Sequence, residues 1–337
     1  MNKEIRRISN YSSLPVLIFV MSMQLFSAVV STAYLFATNT LHITIPPELF
    51  YLALYVFVYP VGGSIAALIF YKTRRRETGL RLRQTFCKPQ MSAGRIFKWI
   101  VITWGLAFLT SIFTNLIKSF AESLLHIEIS DPDINMGDGA GGFLVSFLAL
   151  SVFAPIFEEI LFRSAVYRHT EIMGQGFAVI FSSLMFALMH GNLDQLPYTF
   201  VMGLGLAYIF AKSRSLPVTM LFHFTANTLT VVFTTLIGDA SDSAESLIFE
   251  LQQGNIPVII VTLLYELIVY GLITAAVIMG IIELVRAIKR KEHMKGGIFP
   301  ISGAKKAAVF FTAPITLITI LLMIFFIGVT TVTQIMI

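Results

Sequence analysis

Three short patterns place polar side chains on otherwise apolar stretches of this chain. They are Glu158-Glu159-Ile160-Leu161-Phe162-Arg163, Phe186-Ala187-Leu188-Met189-His190 and His223-Phe224-Thr225-Ala226-Asn227. Ionisable groups within apolar segments are costly and are functional candidates by default. A glutamate shielded from water suits general-base work. Donors in a low-dielectric site suit the stabilisation of an oxyanion. Two histidines and a glutamate can also make a zinc site with one open position.

Each pattern also has a plainer explanation. Adjacent carboxylates on a helix point about 100° apart, so Glu158 and Glu159 cannot share one role. Glu159 and Arg163 stand at i,i+4 in the favourable order for an ion pair, which leaves Glu158 without a local partner. Both glutamates could instead be solvated at a helix end. Phe186 and His190 share a helix face, as do His223 and Asn227. A histidine bonded to backbone at a helix end, and a polar contact between helices, would account for these two pairs. Glu266 in another apolar run is expected to bond a neighbouring helix. Lys118 and Glu122 are expected to form a local ion pair near the outer surface.

The elements that must position these residues follow from composition. Of 337 residues, 56% are hydrophobic and 13% charged, against about 25% charged in soluble domains. Mean hydropathy is +0.80. An ordinary cytosolic enzyme, a disordered chain and a secreted disulfide scaffold are excluded, and a polytopic membrane protein is expected. The single cysteine, Cys87, excludes an intramolecular disulfide and a multi-cysteine metal site.

Long apolar runs occur near 14–37, 49–71, 96–121, 142–162, 216–237, 257–285 and 307–336, with shorter ones at 177–190 and 197–211. The first resembles a signal-peptide core but is long and lacks an evident cleavage site, so it is read as a span. The fold class is therefore all-α: a transmembrane helix bundle of about eight spans.

Loops 1–13, 72–98, 163–176, 212–215 and 286–306 hold the basic residues other than Lys118, and the intervening loops hold acidic residues and no Lys or Arg. The basic loops should be cytoplasmic, which puts the N-terminus inside and the C-terminus outside. The net charge of +5 is read as this orientation signal, with the lipid bilayer as partner and no nucleic acid. The short runs 177–190 and 197–211 are either a re-entrant hairpin or two thin spans. On these boundaries Glu158 lies about five residues, and His223 about seven, from the cytoplasmic ends of their spans. That corresponds to roughly 7–10 Å of depth. A hairpin would bring His190 to the same zone, and the site would open to the cytoplasm.

Taken together and in order, the motifs resemble those of the CPBP intramembrane proteases. That family includes the CAAX prenyl endoproteases of the Ras-converting type and bacterial bacteriocin-processing and self-immunity proteins. The resemblance covers roughly 142–230. It implies a core at 142–237, flanked by helices at 1–141 and 238–337. It further implies that Glu158 activates water, that His190 helps hold it, and that His223 and Asn227 stabilise the oxyanion. Glu159 and Arg163, with Phe186, would support the site.

The family's metalloprotease label would make Glu158, His190 and His223 zinc ligands. A metal-free glutamate mechanism uses the same residues and is the preferred reading, because HExxH is absent. The expected substrate is a hydrophobic or lipid-anchored peptide or protein, in a bacterial cell membrane. Two other functions remain open: a non-catalytic immunity or regulatory partner that keeps the fold, and a transporter.

Overall fold

A computed structural model describes residues 1–129, 136–137, 139–237, 248, 252, 256–289, 294–300 and 302–336. The regular elements among them are all helices. In lipid every backbone polar group must be satisfied within the chain, and helices do this for apolar segments.

Helix α1 spans Asn2–Asn39. Helix α2 (Pro47–Val56) passes through a π-helical stretch, Phe57–Gly63, into α3 (Ser64–Thr78). Helix α4 is Ala93–Leu125. Helix α5 (Gly139–Ser146) runs through π-helical Phe147–Phe153 into α6 (Ala154–Glu159). A second π-helical stretch, Ile160–Tyr167, leads to α7 (Arg168–Thr170). Then come α8 (Gln175–Met189), α9 (Leu196–Ser213) and α10 (Leu216–Ile237). The C-terminal part holds α11 (Ile256–Lys289), α12 (Gly303–Phe311) and α13 (Pro314–Met336).

Five segments among the described residues are long and apolar enough to cross a membrane: Asn2–Asn39, Pro47–Lys72, Ala93–Leu125, Gly139–Met173 and Pro314–Ile335. Shorter apolar helices cover Gln175–Met189 and Leu216–Val232. Large apolar side chains such as Phe113, Ile117, Phe120 and Phe325 face outward, while Glu158, Glu159, Arg163 and His223 are buried. This is an integral membrane protein with an all-α polytopic fold.

The interior is held by close packing, because lipid supplies no hydrophobic drive between helices. Phe162, Phe181, Phe186 and Phe310 belong to one buried cluster. The Ser182 hydroxyl donates to Phe162 O across α8 (2.8 Å), and Ser9 shares a hydrogen bond with Thr316 between α1 and α13 (2.5 Å). Interhelical bonds of this kind average about 0.6 kcal/mol in membranes.

The basic segments meet at one end of the bundle. Arg168 donates to Arg81 O (3.1 Å), Gln90 N to Ser213 O (2.7 Å) and Lys306 to Met173 O (3.2 Å). Arg214 forks onto Glu171 at 2.5 and 2.6 Å. Lys98 pairs with Glu283 there as well. The acidic positions Asp131, Asp133, Asp138, Asp239, Asp242, Glu245 and Glu250 lie outside the described residues.

The structure corrects two sequence expectations. Segment 163–176 is not a loop: the chain stays helical through Thr170, and a 3-10 turn carries it to Met173. Arg163 suggested a cytoplasmic loop by its charge, but it is fully buried against Glu159. Consequently Glu158 is not five residues from the end of its span but fifteen residues from Met173. That places it about 20 Å from the basic end.

The two short runs, α8 and α9, form a helical hairpin that enters from the basic end. In the loop joining them, Asp194 lies 3.8 Å from Lys118, late in α4, and accepts from Gln334, late in α13 (3.0 Å). The loop therefore reaches the far end of the bundle.

Candidate active site

Helix α6 and its π-helical continuation form the centre of the site. Glu158 and Glu159, 2% and 0% exposed, are both buried despite pointing in different directions. This is feasible because α6 has polar partners on two sides. On one side the π-helical stretch between α2 and α3 brings the Tyr59 hydroxyl to Glu158, donating to Oε1 at 2.9 Å. Gly63 permits that approach, because a Cβ there would stand 2.9 Å from the Phe157 side chain. On the other side, α10 brings His223 to Glu159.

Glu159 joins two partners. Its Oε2 lies 3.3 Å from Arg163 Nε, and its Oε1 accepts from His223 Nδ1 at 3.2 Å. An ionised carboxylate can only accept, so His223 Nδ1 carries the hydrogen. The neutral ring then presents its bare Nε2 to Glu158, with Oε2 at 3.8 Å. This Glu158 oxygen is buried and has no hydrogen-bond partner among the described residues.

His190 terminates α8. Its Nδ1 lies 2.8 Å from Phe186 O. A carbonyl cannot donate, so this ring too presents its Nε2 as a lone pair when neutral. The loop beyond is tied by Asn192, which donates to His190 O (3.1 Å) and accepts from Gln195 N (2.8 Å).

Phe186 joins these parts physically. Arg163 Cζ stands 4.6 Å from its ring centroid, a cation–π contact. The His190 and His223 rings meet it edge-on, at 4.8 and 5.7 Å between centroids. Asn227, one turn beyond His223, donates to Leu150 O at 2.7 Å, which leaves the second amide hydrogen for another acceptor.

The sequence-expected residues thus divide clearly. Glu158, Glu159, Arg163, Phe186, His190 and His223 converge, and Asn227 lies one turn further along α10. Lys118 reaches Asp194, beyond the local pair expected for it, and Glu122 accepts from Ile129 N at 3.0 Å. The Glu266 side chain lies outside what is described. Sequence reasoning missed Tyr59. The available signal was a Tyr-Pro pair within an apolar run, since a tyrosine hydroxyl buried there needs a partner.

The bare Nε2 atoms have the chemistry of metal ligands. However, among the described residues no three His, Cys, Asp or Glu side chains group together as a metal site would require.

Residues 140–229 match the family described as type II CAAX prenyl endopeptidase Rce1-like. Over 86 residues the chain is 33% identical to the putative membrane peptidase YdiL of Bacillus subtilis (strain 168), a stretch covering 24% of this chain and 34% of that protein. The chain thus spans about a third of the length of the curated relative it matches. No solved structure matches.

Proposed function

We propose, on the premise that residues 140–229 belong to the Rce1-like family of type II CAAX prenyl endopeptidases, that this protein is an intramembrane endopeptidase. Its substrate class is a hydrophobic or lipid-anchored peptide or protein, cleaved by water that Glu158 activates. The observation carrying this reading is Glu158 Oε2: buried, without a hydrogen-bond partner among the described residues, and 3.8 Å from His223 Nε2.

Water held at Oε2 loses a proton to it as its oxygen bonds to the substrate carbonyl carbon. The proton then passes to the amide nitrogen as the C–N bond breaks, giving a carboxylic acid and an amine. The bare Nε2 of His190 accepts a hydrogen bond that helps orient the water. The free amide hydrogen of Asn227 serves the developing oxyanion. His223, whose Nδ1–H is held by the Glu159 carboxylate, lines the same site beside the Glu158 oxygen that takes the proton.

The basic end of the bundle is assigned to the cytoplasm by its Lys and Arg residues. The hydrogen-bonding groups of the site lie about 20 Å from that end, so a hydrated path through the bundle has to serve it.

The test is cleavage of a membrane-peptide library by the purified protein in liposomes. Wild type, His190→Ala and His223→Ala are compared, each with and without chelator. Cleavage by wild type that is lost in both variants and retained with chelator is expected. Loss with chelator and recovery with zinc would overturn the metal-free chemistry. A folded wild type that cleaves nothing in the library but retains a bound membrane protein would favour a non-catalytic partner.

A further inference from the structure

We infer that Tyr59, outside the family-matching segment, is a positioning residue that fixes which oxygen of Glu158 takes the proton; this rests on the endopeptidase reading. The Tyr59 hydroxyl donates to Oε1 at 2.9 Å, while Oε2 has no hydrogen-bond partner among the described residues. A donor on Oε1 occupies that oxygen whether Glu158 is ionised or protonated. The incoming proton therefore goes to Oε2, the oxygen that faces His223.

The local structure holds the tyrosine for this task. Its ring stacks on Tyr55 at 6.0 Å and 11°, and meets Phe19 at 6.0 Å and 45°. It sits in the π-helical stretch Phe57–Gly63 together with Pro60. Single π-helical turns within α-helices shift side-chain direction and occur frequently at functional sites. Gly63, four residues on, lets this stretch lie against Phe157, the neighbour of Glu158. A buried carboxylate needs partners: Glu159 is ion-paired with Arg163 and accepts a hydrogen bond from His223. Tyr59 supplies a partner to Glu158 from an element of the N-terminal helices.

The test compares Tyr59→Phe, which keeps the ring stack, with wild type in the same liposomes. We expect kcat to fall about 10- to 100-fold, with KM changing less than about twofold, as for loss of one fixed donor near the reacting atoms. The infrared band of the Glu158 carboxyl, assigned by its loss in Glu158→Gln, is expected to shift in Tyr59→Phe. Unchanged kcat with an unmoved band overturns the inference. A fall in kcat with an unmoved band also overturns it, since only packing would then have changed. If wild type cleaves nothing, the endopeptidase reading fails, and the infrared band alone still decides whether Tyr59 holds Glu158.

Discussion

Glu158 and His190 lie sixteen residues to either side of Gly174. Gly174 makes the turn between two antiparallel helical segments, with φ of 122° that a side chain would strain. Phe162 and Phe186, twelve residues to either side of Gly174, meet across the hairpin in a T-shaped contact at 5.3 Å. Phe186 also reaches Arg163 on the first arm, and His190 packs edge-on against the same ring.

This register makes turn length a determinant of the site. Inserting one residue after Gly174 should rotate α8 by about 100° and raise it by about 1.5 Å. His190 would leave Glu158, and Phe186 would leave Arg163. Loss of activity and of thermal stability together is the expected outcome, read by cleavage and by unfolding in detergent.

Gly63→Val should act on the site through packing. Its Cβ would stand 2.9 Å from Phe157, so one helix must shift. Overpacking of this kind costs about 1–3 kcal/mol. Thermal unfolding should move down, and cleavage should fall as Tyr59 withdraws from Glu158.

Phe186→Ala removes the ring that Arg163, His190 and His223 all touch. The cost expected for a buried Phe→Ala change is about 3–5 kcal/mol, measured by denaturant unfolding. Phe186→Tyr, which keeps a π face under Arg163, should lose much less.

The arrangement of loops can be tested with cysteine. Cys87 is the only cysteine in the chain, and it is exposed near the basic end. An impermeant maleimide should reach it from the cytoplasmic side. In a Cys87→Ser background, Leu193→Cys should be labelled from the opposite side, because Leu193 adjoins Asp194 and is 49% exposed. Labelling of both positions from one side would return α8 and α9 to a re-entrant hairpin.

Much of this site was legible in the sequence because its signals are local. The i,i+4 spacing that pairs Glu159 with Arg163 and sets Phe186 beside His190 needs only the helix period. The end of the Glu158 span was misread because Arg163 looked like a loop residue. Its burial depends on Glu159 and on Phe186 from α8, and a hydropathy window does not register such pairing. Tyr59 was not legible, because it meets Glu158 across 99 residues of chain. Asp194 likewise gains Lys118 and Gln334 only when three helices assemble.

The most direct measurement compares Glu158→Gln with Glu159→Gln for both cleavage and unfolding. Glu158→Gln keeps an oxygen for Tyr59, so it should fold like wild type and lose cleavage by at least about 100-fold. Glu159→Gln leaves Arg163 buried without its anion, which should cost about 3–5 kcal/mol of stability. Glu158→Gln cleaving at the wild-type rate would contradict the account: the chain would then hydrolyse peptides by some other group, or not through this site at all.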